Sequence, residues 1–278
     1  MSATRYDLHC HSTWSDGLLA PAAIVARAAT RGVDVLALTD HDETGGLAEA
    51  RAAAVEAGIT LIDGAELSVS WGSHTIHVVG LAIDPNAVVL QAGLASIRAG
   101  RTLRARKMAD ALAAVGIRGA WEGAMKYVTS DRLVSRTHFA RHLVDAGYVA
   151  EVKDVFKRYL VRGKPGYVPH QWASLADALS WINTAGGQAV LAHPGRYPLS
   201  PTAMRRLLGE FRDQGGVAVE VLSASHTPAQ AAEYAAYAER FGLLASTGSD
   251  FHGPGESWLD LGALPDLPAG LAPVWSRW

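Results

Sequence analysis

The sequence predicts an α/β fold: a seven-stranded barrel, (β/α)7, whose strands alternate with helices, interrupted by one helical insertion. Three observations carry this. Seven short apolar runs recur along the chain, most with an Ala-rich helical run between one and the next. These runs are continuous rather than alternating, as in parallel strands buried on both faces. The rhythm breaks where charge also changes: residues 98–166 hold 15 Lys/Arg against 6 Asp/Glu, a net of +9, while the remainder carries −11. The chain is therefore divided into a barrel, 1–98 with 167–278, and an inserted basic helical lobe, 99–166.

Taken in order, "YDLHCH" (6–11) is the first strand. "PAAIVARAATRG" (21–32) is a helix, since Pro21 suits a first turn and Gly32 a C-terminal stop. "VDVLALTD" (33–40) is the second strand, and a helix ending near Gly58 leads to "ITLIDGAEL" (59–67) and "TIHVVGLAI" (75–83). "IRAGRTLRARKMADALAAVG" (97–116), rich in Arg, Ala and Leu, carries the helical character of the insert. Beyond it, helix "SLADALSWINTAGG" (174–187) precedes strand "QAVLAHP" (188–194), and "TAMRRLLGEFRDQGG" (202–216) precedes "VAVEVL" (217–222). Helix "PAQAAEYAAYAERFG" (228–242) precedes the last strand, "LLASTGSD" (243–250).

Composition excludes several classes. Cys10 is the only cysteine, so no disulfide framework exists, which suits a reducing compartment. The N-terminus lacks the charged-then-apolar pattern of a signal peptide, and no apolar run approaches the roughly 18–20 residues of a membrane span. The expectation is a cytoplasmic protein with no membrane association and no obligate protein partner. A basic insert beside an acidic barrel suits an anionic substrate held next to bound cations.

A β/α barrel presents its chemistry at the strand C-terminal ends. There the sequence places His9 and His11 on the first strand, Asp16 in the following loop, Asp40 and His41 after the second strand, and Glu66 on the third. The fourth carries His77, a later strand ends in His193, and the last ends in Asp250 with His252 just beyond. Alternation puts His9 and His11 on one face and Cys10 on the other, as a wall residue. His74, three residues from His77, faces the opposite side. Mixed imidazole and carboxylate suits Zn, Mn or Fe rather than Ca. His9, His11, Asp16, His41, Glu66, His77, His193, Asp250 and His252 are too many ligands for one ion and enough for two or three.

The stretches "DLHCHSTWSDG", "LALTDHDE", "GAEL", "IHVVGL", "LAHPGR" and "GSDFHG" occur in this order from near residue 6 to beyond residue 252. They resemble the motifs of the PHP (polymerase and histidinol phosphatase) family of metal-dependent phosphoesterases. "SRTHFARHLV" around Arg136 and "KPGYVP" at the end of the insert carry a narrower resemblance. It points to a branch with an inserted helical domain, that of nucleoside 3′,5′-bisphosphate phosphatases and 5′-to-3′ exoribonucleases.

The resemblance implies a distorted barrel of PHP type holding two or three divalent metal ions, Mn2+ first, with Zn2+, Fe2+ or Mg2+ as alternatives. It assigns His9, His11, Glu66 and Asp250 to one ion, and Glu66, His77 and His193 to a second. Asp16, His41 and His252 are assigned to a third. It implies in-line attack of an activated water on a phosphate ester, removing the 3′-phosphate of a nucleoside 3′,5′-bisphosphate, with short RNA as a further substrate. Asp42 is a candidate to orient a water or shuttle a proton, with a supporting or helix-capping role as the alternative; His252 is counted with it as catalytic.

Arg136 and Lys164 from the insert, Arg196 beside His193, and His226 are the candidates for substrate contact. The eight tryptophans show no repeat and are read mainly as packing, with one available to stack on a base. A histidinol-phosphate-type phosphomonoesterase is the nearest alternative. An amidohydrolase is disfavoured, because all five lysines (107, 126, 153, 157 and 164) lie in the insert and none can serve as a carbamylated strand ligand.

Overall fold

The computed structural model describes residues 4–129 and 133–278. The chain runs β1 (Tyr6–Asp7), α1 (Pro21–Thr30), β2 (Val35–Leu38), α2 (Leu47–Ala57), β3 (Thr60–Trp71) and β4 (His74–Leu81). Helices α3 (Val88–Ala114), α4 (Ala120–Met125), α5 (Arg136–Asp145) and α6 (Val152–Val155) follow, then a π-helical turn, Phe156–Leu160. It returns through β5 (Ala173–Ser174), α7 (Leu175–Thr184), β6 (Gln188–Leu191), α8 (Pro201–Asp213), β7 (Ala218–Ser223), α9 (Pro228–Phe241) and β8 (Leu244–Gly248). Local chemistry sets the helix ends: Pro21 opens α1, a Thr227–Gln230 capping box opens α9, and Gly58 and Gly242 close α2 and α9 in the left-handed conformation.

The sheet order is β1-β2-β3-β4-β6-β7-β8, with the short β5 beside β3. The first and last strands meet through Leu8 N–H to Thr247 O (3.0 Å), Asp250 N–H to His9 O (2.9 Å) and His11 N–H to Phe251 O (2.9 Å), so seven strands nearly close a barrel. Gly248 permits the approach: a Cβ there would lie 2.3 Å from that of His9.

Parallel pairing holds for every strand except β4, which runs antiparallel to both β3 and β6. The cause is the two-residue turn Gly72–Ser73, with Gly72 at φ +55°; a connection this short makes a hairpin and cannot make a crossover. The reversal keeps His77 at the mouth, opposite Ser68, because β4 enters there rather than leaving.

Apolar residues of β3, β4, β6 and β7 pack against α7, α8 and α9, with Leu179, Leu207, Leu208 and Phe211 fully buried. The barrel interior is filled by Leu8, Ala37, Val79, Leu81, Val190 and Ala218. Val274 joins them, and Trp275 stacks on Tyr6 at 3.9 Å, so the C-terminal tail plugs the end where the parallel strands begin.

The insert has its own core, built from Ala105, Met108, Leu112, Phe139, Leu143, Val155 and Leu160. Helix α3 serves both bodies: Leu90 and Leu94 join the barrel cluster and Met108 and Leu112 that of the lobe. The expected boundary at 98/99 thus falls within one continuous 27-residue helix. No helix among the described residues is long and apolar enough to cross a membrane.

Candidate metal centre

The mouth is built where strands stop being regular. Among the described residues, four non-glycine residues have positive φ, and three of them, Asp42 (+49°), His193 (+27°) and Asp250 (+53°), lie just beyond the ends of β2, β6 and β8. Such conformations cost of order 1–3 kcal/mol each and persist where surroundings impose them. Alternation along the first strand acts as expected: Cys10 is buried among Ile24, Leu36 and Leu38, while His9 and His11 face inward.

Side-chain donors converge in three groups, each with its ligand atoms within 4.8 Å of one another. One is His9, His11, Glu66 and Asp250; another is His11, Asp16, His41 and His252; the third is His41, Glu66 and His77. His193 completes the set, its Nε2 lying 2.9 Å from Glu66 Oε1. All nine sequence candidates therefore meet in one cluster, with Glu66, fully buried, at its centre. The grouping differs in one respect from the expected one: His41, rather than His193, falls within reach of both Glu66 and His77.

The donor chemistry fits cations. His9 Nε2 and His11 Nε2 face each other at 3.2 Å, and His11 Nε2 lies 3.1 Å from Asp250 Oδ1. His9 Nδ1 is 2.7 Å from Glu220 Oε1, a bond that fixes the proton there and leaves Nε2 as the ligand atom. The Nδ1–H of His252 likewise donates to the Asp250 carbonyl (2.9 Å), leaving Nε2 toward Asp16. Asp16 Oδ1, His193 Nδ1, His41 Nδ1 and Glu66 Oε2 are buried without hydrogen-bond partners, the last two only 2.7 Å apart.

The fields agree. Burial opposes charge on Glu66, but His77, His41 and His9 outweigh it and hold the carboxyl well below its usual range. Asp250 and Asp16 outweigh burial at His252 and raise it to about 9, whereas burial, with His252 and His41, holds His11 down to about 3. A pocket that draws protons onto some imidazoles and keeps others neutral calls for positive charge and offers free lone pairs to bind it.

Beside the donors lies a cavity of about 110 Å³. Its barrel wall carries Asp16, His41, His77, His193, Asp250 and His252, and its lobe wall Arg101, Arg104, Ser135, Arg136 and Phe156. Arg136 packs over the Phe156 ring (5.5 Å) and has no carboxylate partner among the described residues. Burial, then Arg101 and Arg196, lower its pKa, so its charge awaits an anion. Arg101 and Arg104, both over the Trp172 ring, were missed from sequence, because basic residues on a helix read as solvent-facing. Arg196 is half-exposed on the rim, its Nη1 2.7 Å from Asp250 Oδ2.

Three sequence candidates lie apart from the donor cluster. Asp42 has the partners of a supporting residue, its alternative reading: Oδ1 accepts from Ser68 N–H (2.7 Å), and Oδ2 from Ser68 Oγ (3.0 Å) and Arg101 Nε (2.6 Å). Lys164 is exposed on a tight turn and lines no cavity at the cluster. His226 has both ring nitrogens engaged by backbone, Nδ1 with Val221 O (3.0 Å) and Nε2 with Gly195 N–H (3.1 Å). It braces the turn after His193 and lies outside the cavity. A Cβ on Gly195 would stand 2.7 Å from its ring, so that brace requires glycine.

Seven strands ringing an imidazole–carboxylate cluster, roofed by guanidinium groups, define a barrel hydrolase built for clustered divalent cations. The PHP domain pattern matches residues 7–162. A 3′,5′-nucleoside bisphosphate phosphatase of Chromobacterium violaceum is 55% identical over 97% of this chain and 94% of its own. The Escherichia coli 5′-3′ exoribonuclease Rnm is 45% identical over 99% and 94%. A solved C. violaceum structure described as an amidohydrolase with bound sulfate and no metal superposes with a TM-score of 0.96, at 54% identity, covering 99% of this chain and 95% of that one. A candidate metal-dependent phosphoesterase from Bifidobacterium adolescentis superposes at 0.84 with 28% identity and the same coverage. The chain belongs to the PHP domain family.

Proposed function

We propose that the protein is a metal-dependent phosphoesterase that removes the 3′-phosphate from nucleoside 3′,5′-bisphosphates. The observation that carries this reading is one cavity walled on one side by donors of the cation-binding cluster and on the other by Arg101, Arg104 and Arg136. The C. violaceum relative bearing that activity supports it.

Two or three divalent ions, Mn2+ foremost, would be held by His9, His11, Asp16, His41, Glu66, His77, His193, Asp250 and His252. When bound, such ions polarise phosphoryl oxygens and supply a nucleophilic water near neutral pH. The chain's own part is positioning. Glu220 fixes the His9 ring, and Asp42 holds Arg101 against Ser68. Arg136, with Arg101 and Arg104, grips the 5′-phosphate through charge-assisted hydrogen bonds, for which a planar guanidinium is suited. Fixing the nucleotide at both phosphates aligns the O3′–P bond with the attacking water.

In this reading the basic segment 99–166 acts as a lobe over the strand ends, and the protein works in the cytoplasm on phosphorylated nucleotides. A phosphate-release assay across adenosine 3′,5′-bisphosphate, histidinol phosphate and p-nitrophenyl phosphate tests it. The bisphosphate should be turned over with much the highest kcat/KM, and a lack of preference for a second phosphate refutes the assignment.

A further inference from the structure

The donors are held to the barrel in two ways. Glu66 and His77 stand on paired strands, and His9 and His11 on a segment bonded to residues 250 and 251. Asp16 and His252 stand on loops. They face each other, His252 Nε2 lying 3.4 Å from Asp16 Oδ1, and with His11 and His41 they form one of the three donor groups. The two loops are joined by Leu18 N–H to His252 O (2.6 Å). A further tie comes from outside the barrel. Arg141 of α5, in the basic lobe, is buried and does not line the cavity. Its Nη2 donates to the backbone carbonyl of Asp16 (2.6 Å), and its Nε and Nη2 hold the two oxygens of the Glu256 carboxylate (2.8 Å each). Next to Glu256, Ser257 Oγ accepts the backbone N–H of His252 (2.7 Å). One guanidinium thus spans both loops, reaching Asp16 directly and His252 through Glu256 and Ser257.

We infer that Arg141 is a positioning residue for a cation held by His11, Asp16, His41 and His252: it fixes the spacing of the two loop donors, so that the lobe completes a site the barrel alone leaves loose. This rests on the reading of the cluster as a seat for divalent ions, and on no particular substrate. A buried ion pair adds little net stability, because the cost of taking two charges out of water offsets most of their attraction. Geometry gives the Arg141–Glu256 pair another role. The planar guanidinium meets a carboxylate and a carbonyl at once in fixed directions, whereas a lysine ammonium is a point charge on a flexible stem. A loop donor must be in place before the ion arrives, and outer partners of metal ligands typically contribute about 10–100-fold to affinity. Donors on paired backbone are held by the sheet, so the other ions should bind without Arg141.

The test is a calorimetric Mn2+ titration of metal-stripped wild-type, Asp16→Ala, Arg141→Ala, Arg141→Lys and Glu256→Ala proteins. Asp16→Ala marks the binding step that belongs to this donor group. Arg141→Ala should weaken that step by about tenfold or more and leave the other steps at wild-type affinity, with Arg141→Lys between the two. Glu256→Ala, which cuts the tie from the loop side, should weaken the same step and decides the matter where Arg141→Ala does not fold. Wild-type affinity at that step in either alanine variant of the pair overturns the inference. So does a uniform weakening of every step, which would assign Arg141 to the fold, and so does a wild-type titration with no step that Asp16→Ala removes. A protein that shows the selective loss and leaves adenosine 3′,5′-bisphosphate intact refutes the phosphatase reading, with the role of Arg141 standing.

Discussion

Glu220 Oε1 lies 2.7 Å from His9 Nδ1, both side chains buried, and its other oxygen accepts the backbone N–H of His193. One carboxylate on β7 thus orients two donors, His193 beyond the adjacent β6 and His9 beyond β1, without entering the cluster. Removing such an outer partner typically costs about 10–100-fold in metal affinity. Glu220→Ala should weaken Mn2+ binding by that order in a calorimetric titration of metal-stripped protein. Wild-type affinity would mean that the His9 ring is held by packing alone.

Arg136 should matter in proportion to the second phosphate. A charge-assisted contact is worth about 1.5–3 kcal/mol, or roughly ten- to a hundredfold. Arg136→Ala is expected to lower kcat/KM on a nucleoside 3′,5′-bisphosphate by that factor and to affect p-nitrophenyl phosphate far less. Equal losses on both would assign Arg136 to the fold instead.

The Asp42–Arg101 pair ties the lobe to the barrel floor, with both side chains buried. Truncating one partner strands the other's charge, which costs about 3–5 kcal/mol. Asp42→Ala should therefore lower the melting temperature by on the order of 10 °C. A shift of a degree or less would show that solvent reaches Arg101.

His138 gives a pH dependence separate from the donor cluster. Its Nδ1 accepts the Ser135 N–H (3.2 Å) in the capping box that opens α5, so the ring must be neutral there. Burial lowers its pKa to about 4, with Asp16 opposing and Arg141 and Arg101 adding to the effect. The unfolded chain takes up this proton below about 6.5 and the folded protein only near 4. Stability from this group is thus complete above 6.5 and lost on acidification, at about 1.4 kcal/mol per pH unit within that window. Thermal melts from pH 7 to 4 should fall more steeply for wild type than for His138→Gln, and parallel curves would contradict the assignment.

The donor cluster was readable because its logic is periodic. Strand alternation separates His9 and His11 from Cys10, and a parallel barrel brings the ends of β2, β6 and β8 to one rim. The supporting residues were harder to see. Glu220 sits in "VAVEVL", where one carboxylate inside a buried strand was a usable clue that it must have a partner. The antiparallel β4 was not read from sequence: the runs 59–67 and 75–83 left seven residues between them, and only the folded chain carries β3 on to Trp71 and shortens the connection to Gly72–Ser73. Arg101 and Arg104 gave no local clue, because the direction they face depends on how α3 lies across the mouth. Lys164 and His226 were singled out by residue type, which suggests contact with an anion, whereas the path of the loop decides where a side chain ends.

The unbroken course of α3 from Val88 to Ala114 bears on modularity. A protein whose extra body hangs on two flexible strings can gain, lose or exchange it as a cassette. Here the junction on one side is the interior of a rigid rod, so any cut at residue 98 severs a helix whose two halves serve different cores. Transplanting this body onto another scaffold requires carrying the rod from Val88 onward, together with the groove that seats Leu90 and Leu94. Diversification among such proteins should then proceed by changing side chains along the rod, which puts Arg101 and Arg104 into the lining of the cavity.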